Sequence, residues 1–165
     1  MGADTGTGSG SVPKSRAWTV AGDRVDTGRA MSQENVEIVR RCAESMNRRD
    51  VSQLLELFDR DIVYHPRADE PDPSPHVGRD AYERLVGGFV ESFSEISFEI
   101  LELIDADDHV IASTALHARG SASGADVSDA YVFVYKLRDG LIVEGWEYRT
   151  RQEALDSLKA VGLAE

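Results

Sequence analysis

The main hydrophobic period of this chain changes from helical to alternating near residue 95, and that change limits the possible folds more than any other feature. Before it, apolar residues recur at helical spacing. They run Val36, Val39, Ala43 and Met46 with Cys42 beside them, then Leu54, Leu55, Leu57 and Phe58, then Leu85, Val86, Phe89, Val90 and Phe93. After it they alternate. Ile96, Phe98 and Ile100 share one face while Leu101 and Leu103 take the other parity, which predicts a bulge or twist near 100–102. Further strands are expected over 110–118, 127–137 and 141–149, with a tight turn at Arg138-Asp139-Gly140. A short strand is expected over 62–65, stopped by Pro66, and a last helix over 152–160 ends before Gly162. Ser32 reads as the first N-cap, and Asp50 with Gln53 and Asp80 with Glu83 read as capping boxes. Helices gathered on one side of an antiparallel sheet make an α+β fold.

Length and charge narrow the classes. A chain of 165 residues suits one domain. Residues 1–30 hold six of the fourteen glycines and no apolar period, and read as a disordered tail or an upstream start in place of Met31. They carry a net +1, so the expected domain, residues 31–165, carries −13 of the −12 total. A surface this acidic repels phosphate backbones and anionic bilayers, so neither nucleic acid nor membrane is an expected partner. The single cysteine, Cys42, forbids an internal disulfide and fits a reducing, cytoplasmic setting.

Residues 66–78 hold four of the five prolines together with Asp69, Glu70 and Asp72, and read as an irregular loop. With His65 and His76 this stretch invites a metal reading, but its spacing matches no closed metal loop. An ion pair from Arg67 to a neighbouring acid, shaping a cavity mouth, fits better. No metal and no cofactor are expected. Gly-rich phosphate loops, Ser-His-Asp order and dinucleotide fingerprints are absent.

A twisted four-strand meander curls, and three helices on its concave side leave a hollow with one open end, a default site for a small molecule. At this point the chain resembles the SnoaL-like branch of the NTF2-like superfamily. The matching stretches include Met46-Asn47-Arg48-Arg49-Asp50, Leu54-Leu55-Glu56-Leu57-Phe58, Tyr64-His65-Pro66-Arg67, Val77-Gly78-Arg79-Asp80 and Leu137-Arg138-Asp139-Gly140-Leu141. The resemblance covers about residues 32–160. It implies an NTF2-like cone, with four long strands plus one short. It also implies a chemistry among those of isomerases, polyketide cyclases, epoxide hydrolases and dehydratases. His65 falls where the isomerases place a carboxylate base, and Glu147 about where the cyclases hold an acid/base Asp. Phe133 and Cys42 fall where the isomerases place oxyanion donors, a departure that argues against a ketosteroid-isomerase mechanism.

The catalytic candidates are therefore His65, as a base, and Glu147, as acid or proton shuttle. Val63 shares a face with His65 and is expected to point with it into the cone. The alternative for His65 is a pocket histidine paired to the acidic loop. Glu147 facing the hollow would turn Trp146 and Tyr148 outward, leaving an aromatic sheet face for a homodimer. The opposite parity puts Trp146 in the core. Cys42, Tyr82, Phe89, Phe93, Tyr131 and Phe133 are the expected ligand-binding wall. The function expected is a cofactor-independent enzyme acting on a small hydrophobic carbonyl compound. The alternative is a non-catalytic module that binds a small hydrophobic molecule or serves as a dimeric accessory.

Overall fold

The structure is a computed structural model that describes residues 27–160 and Gly162, with side chains from Ser32 onward. Its elements are α1 (Thr27–Asn47), α2 (Val51–Leu55), β1 (Phe58–His65), β2 (His76–Val77), α3 (Arg79–Ser92), β3 (Phe93–Ala106), β4 (His109–Gly120), β5 (Asp126–Arg138), β6 (Leu141–Tyr148) and α4 (Arg151–Ala160). The expected α+β class is therefore present. Six strands form one curved sheet in the order β2-β1-β6-β5-β4-β3. No helix among the described residues is long and apolar enough to cross a membrane.

The helix ends differ from expectation in instructive ways. α1 begins at Thr27, so Ser32 lies inside the helix and does not cap it, and residues 27–30 belong to regular structure. Of the tail expected over 1–30, residues 1–26 lie outside the described residues. Asp50 does cap α2, accepting from the Gln53 amide at 3.1 Å. α3 instead starts after Gly78, whose φ of 93° favours glycine, with no side-chain cap; Asp80 merely sits in its first turn.

The Asn47-Arg48-Arg49-Asp50 stretch ties helices to the sheet. Asn47 donates to the Phe98 carbonyl at 3.0 Å and accepts from its amide at 2.7 Å, so its amide group copies a strand neighbour. Arg49 ends α1 with a φ of 59°, and its guanidinium donates to the carbonyls of Phe93 and Val90. Arg79 similarly donates to the Phe58 carbonyl at 3.1 Å.

The bulge expected near 100–102 is there, as a register shift between Ile100 and Glu102 in the β3–β4 ladder. It returns Leu103 to the core face beside Ile100 and leaves Leu101 outside, 52% exposed. The Asp139-Gly140 turn carries positive φ at both positions, 53° and 79°, the geometry that matches strand twist in a two-residue hairpin. Phe58, expected at the end of a helix, instead opens β1 and is fully buried. The sheet is not a pure meander, because β1 inserts parallel to β6.

Two layers of core result. On the concave side α1, α2 and α3 pack Val36, Val39, Leu54, Tyr82 and Val86 against Phe58, Ile62, Tyr64 and Val110. On the convex side α4 packs Ala154 and Leu158 against Ile111, Val132 and Val134, with Trp146 and Tyr148 half-buried beside them. Trp146 and Tyr148 do face away from the hollow. However, the exposed aromatic face expected there is partly roofed by α4, and the Tyr148 hydroxyl bonds to the Ser157 hydroxyl at 2.9 Å.

Gly145 pairs with Tyr64 across β1 and β6. A Cβ at 145 would meet the Tyr64 ring at 2.9 Å and the Tyr135 ring at 3.2 Å. Neither ring can retreat, since both are buried. Gly145→Ala should therefore destabilise the domain by about 1–3 kcal/mol, the usual cost of overpacking. A lower urea midpoint with an unchanged slope would show this.

Candidate functional site

Strand parity decides what the hollow contains. β1 turns Ile62 and Tyr64 inward, because those two carry the apolar surface that the helices cover, and so sends Val63 and His65 to the opposite face. The expectation that His65 enters the cone is overturned. Its Nε2 pairs with Glu144 Oε2 at 2.8 Å, and its ring stacks on Trp146 with centroids 5.4 Å apart. His109 opens β4 and stacks on Trp146 as well, at 6.0 Å, with its Nδ1 2.7 Å from Asp108.

β6 has the parity the resemblance implied, with Glu147 inward. Glu147 joins a cavity of about 400 Å³ between the sheet and the three helices. Of the ligand wall expected from sequence, Cys42, Tyr82, Phe89, Tyr131 and Phe133 line it. Phe93 does not: it ends α3, opens β3 and packs against Phe89 at 5.0 Å. Tyr64, Tyr135, Thr114 and the mouth residues Glu70, Asp72 and His76 complete the polar lining, and Pro66 and Pro71 shape the rim. His76 pairs with Tyr64 across β1 and β2 and is the imidazole that this cavity holds.

Tyr131, Phe133 and Tyr135 follow at period two on β5, their rings nearly parallel and 5.7–5.9 Å apart. Phe98 meets Tyr131 and Phe133 edge-on from β3. The walls are thus apolar and aromatic, and the polar groups gather at one place.

That place is Glu147. Its Oε2 accepts from the Tyr64 hydroxyl at 2.5 Å, and its Oε1 accepts from the Arg67 amide at 3.2 Å. Burial pushes its proton affinity above the ordinary carboxylate value. The two hydrogen bonds pull the other way, Glu70 pushes up again, and the Arg67 charge pulls down. Burial also holds the phenols of Tyr64, Tyr82, Tyr131 and Tyr135 above their usual range, so all four stay neutral donors. Cys42 is likewise pushed up by burial and is no ready nucleophile. Such a site can hold a proton on a carboxyl above the ordinary carboxylate range, release it into a water-poor hollow, and offer phenolic hydrogen bonds to a guest oxygen.

The expected ion pair at the mouth is present. Arg67 is buried and pairs with Asp69 at 3.0 Å and Asp129 at 3.2 Å. Among the described residues no three His, Cys, Asp or Glu side chains gather as metal ligands. Sequence reasoning passed over Tyr64 and Tyr135. The parity of Ile62 and Tyr64 against Val63 and His65 was the available signal, and a four-residue strand reads equally well either way.

Because its proton affinity is raised on folding, Glu147 contributes stability that is complete below the ordinary carboxylate range and is lost as pH rises through the raised value. Glu147→Gln cannot ionise. Its thermal midpoint should therefore gain on that of the wild type as pH rises from the ordinary carboxylate range through the raised value, in a series of melts. Parallel curves would show that Glu147 is not held protonated.

Comparison with known proteins agrees with this architecture. The profile of the SnoaL-like domain matches residues 39–145. No curated protein matches the sequence. Among solved structures, Bal32a from a soil-derived mobile gene cassette superposes with a TM-score of 0.65 at 24% identity, covering 76% of this chain and 96% of that one. A candidate isomerase from Bacillus subtilis gives 0.65 at 20%, covering 81% and 99%. IdmH, a candidate polyketide cyclase from Streptomyces antibioticus, gives 0.61 at 20%, covering 68% and 89%. At these identities the solved structures share the fold. The match over 39–145, with the curved sheet and its helix-roofed hollow, makes this chain a member of the SnoaL-like domain family.

Proposed function

We propose that this chain is a cofactor-independent enzyme that acts on a small hydrophobic carbonyl compound, as an isomerase, cyclase or dehydratase does, by moving a proton at Glu147. The observation that carries this reading is the Tyr64–Glu147 hydrogen bond inside an aromatic cavity. A carboxyl with raised proton affinity is poised to take a proton from carbon beside a carbonyl and to return it at another atom. The hydroxyls of Tyr82 and Tyr135 supply what Cys42 and Phe133 lack, hydrogen bonds for a developing oxyanion. The base assigned to His65 passes to Glu147, which then serves as both base and acid. The similarity to candidate isomerases and polyketide cyclases supports the reaction class.

The test follows exchange of protons beside the carbonyl in D2O. A panel of small hydrophobic ketones, 2-tetralone among them, is monitored by NMR with the purified protein. Wild type should accelerate exchange of at least one compound. Glu147→Gln should slow it by about 10²-fold or more, the usual worth of a positioned acid–base group. Full activity in that variant would remove the proposed mechanism.

A second reading is favoured by one observation: both Glu147 oxygens already have protein partners. A module that only binds a small hydrophobic molecule would hold its ketone without exchange, and with an affinity indifferent to Glu147→Gln. The chain also reads as a homodimer joined through the part of the convex sheet face that α4 leaves open, next to exposed Leu101. Light scattering should give twice the 18.1 kDa chain mass; a mass of one chain would refute this.

A further inference from the structure

The mouth loop and the carboxyl of Glu147 meet in one residue, Arg67, which the proposed proton transfer does not use. Its main-chain N–H is one of the two donors on Glu147, at 3.2 Å from Oε1. Its side chain folds back, buried, and satisfies itself on three sides. Nε and Nη2 donate to the two Asp69 oxygens at 3.0 and 3.2 Å. Nη1 donates to the Ala130 carbonyl at 2.9 Å. Nη2 also lies 3.2 Å from Asp129, and the guanidinium carbon sits 4.4 Å from the centre of the Tyr131 ring. Burial pushes Asp129 up, but the Arg67 hydrogen bond, the Ala130 amide and the charges of Arg67 and Arg149 together outweigh it and hold its carboxyl below the ordinary value.

These contacts have a mechanical consequence. Asp129 and Ala130 belong to β5, and Glu147 stands on β6, paired in register with Phe133 of β5. A guanidinium locked to β5 by a planar fork of donors fixes the start of the 66–75 loop against that same strand pair. Only then does the Arg67 amide stay aimed at Glu147. The same anchor holds Pro66, Glu70, Pro71 and Asp72 as cavity wall.

The geometry points to Arg67 as the positioning residue of this site: through its side-chain latch on Asp129 and Ala130 it holds its own amide on Glu147 and so sets the carboxyl's readiness to give or take a proton. This rests on the reading of Glu147 as the proton-moving group. The other titratable or charged groups that face Glu147 are Tyr64 from β1, Glu70 from the loop, Tyr82 from α3, and Tyr131 and Tyr135 from β5.

The experiment titrates Glu147 directly. The full chain is labelled with 13C at the glutamate carboxyls, and the Glu147 resonance is the one missing from Glu147→Gln. In Arg67→Gln the midpoint should rise by about one pH unit, a tenfold gain in proton affinity. Loss of the nearby cation has the same sign, so Asp129→Asn is the deciding variant. Removing an anion should by charge alone lower the Glu147 midpoint. A loosened latch, losing the amide donor, should raise it. A rise in Asp129→Asn, smaller than in Arg67→Gln, supports the assignment. A fall or no change in the folded protein overturns it. Asp129 is partly exposed, so this variant serves even where Arg67→Gln does not fold. The titration needs no turnover. Undiminished exchange activity in Glu147→Gln would end the proposed reaction without touching this assignment, and a falling midpoint in Asp129→Asn would do the reverse.

Discussion

A missing side chain at position 145 makes room for everything else in the cavity. Gly145 lies beneath the Tyr64 ring, and no other residue would let that ring rest on β6. Lying there, Tyr64 reaches two residues along the same strand to Glu147 and shares its proton. The parallel pairing of β1 with β6 sets the register of this contact. A shift of one residue would put His65 over the cavity and Tyr64 outside it. The buried acid would then lose its phenol and stand unpaired, which costs far more than the apolar exchange gains.

The two faces of the sheet divide the labour. The concave face holds a hollow with aromatic walls, Glu147 inside it, and Glu70 and Asp72 at its mouth. The convex face holds a solid layer in which Trp146 stacks with His65 and His109, each imidazole backed by a carboxylate, beside the packing of α4. The imidazole that looked catalytic therefore serves the wall behind the site. Inside, the polar work falls to phenols, whose long rings span an apolar wall and place a hydroxyl at its far end.

Much of the fold was legible. Period-two alternation marked the strands, the Asp139-Gly140 pair marked the hairpin, and the clash of parity at Ile100, Leu101 and Leu103 marked a bulge that the β3–β4 register contains. Asp50 was legible as a cap because capping is a contact three residues long. Ser32 misled because a good N-cap residue also tolerates a helix interior, and α1 simply begins earlier. Phe58 misled because an apolar residue after Leu57 continues a helical stripe as well as it starts a strand. The cavity wall was mostly legible, since aromatics at strand and helix spacing face the core. Phe93 failed at the junction between α3 and β3, where both periods end.

By itself the sequence determined the class of fold, the acidic character of the domain, the inward course of β5 and the family, because these follow from periodicity and composition over many residues. Tertiary structure alone decided which side chains meet. His65 or Tyr64, Glu144 or Glu147: each choice is one residue of parity, and the chain pattern is nearly neutral to it. The energy that breaks the tie comes from helices burying one face of β1, and from a glycine on the neighbouring strand that has room for one particular ring.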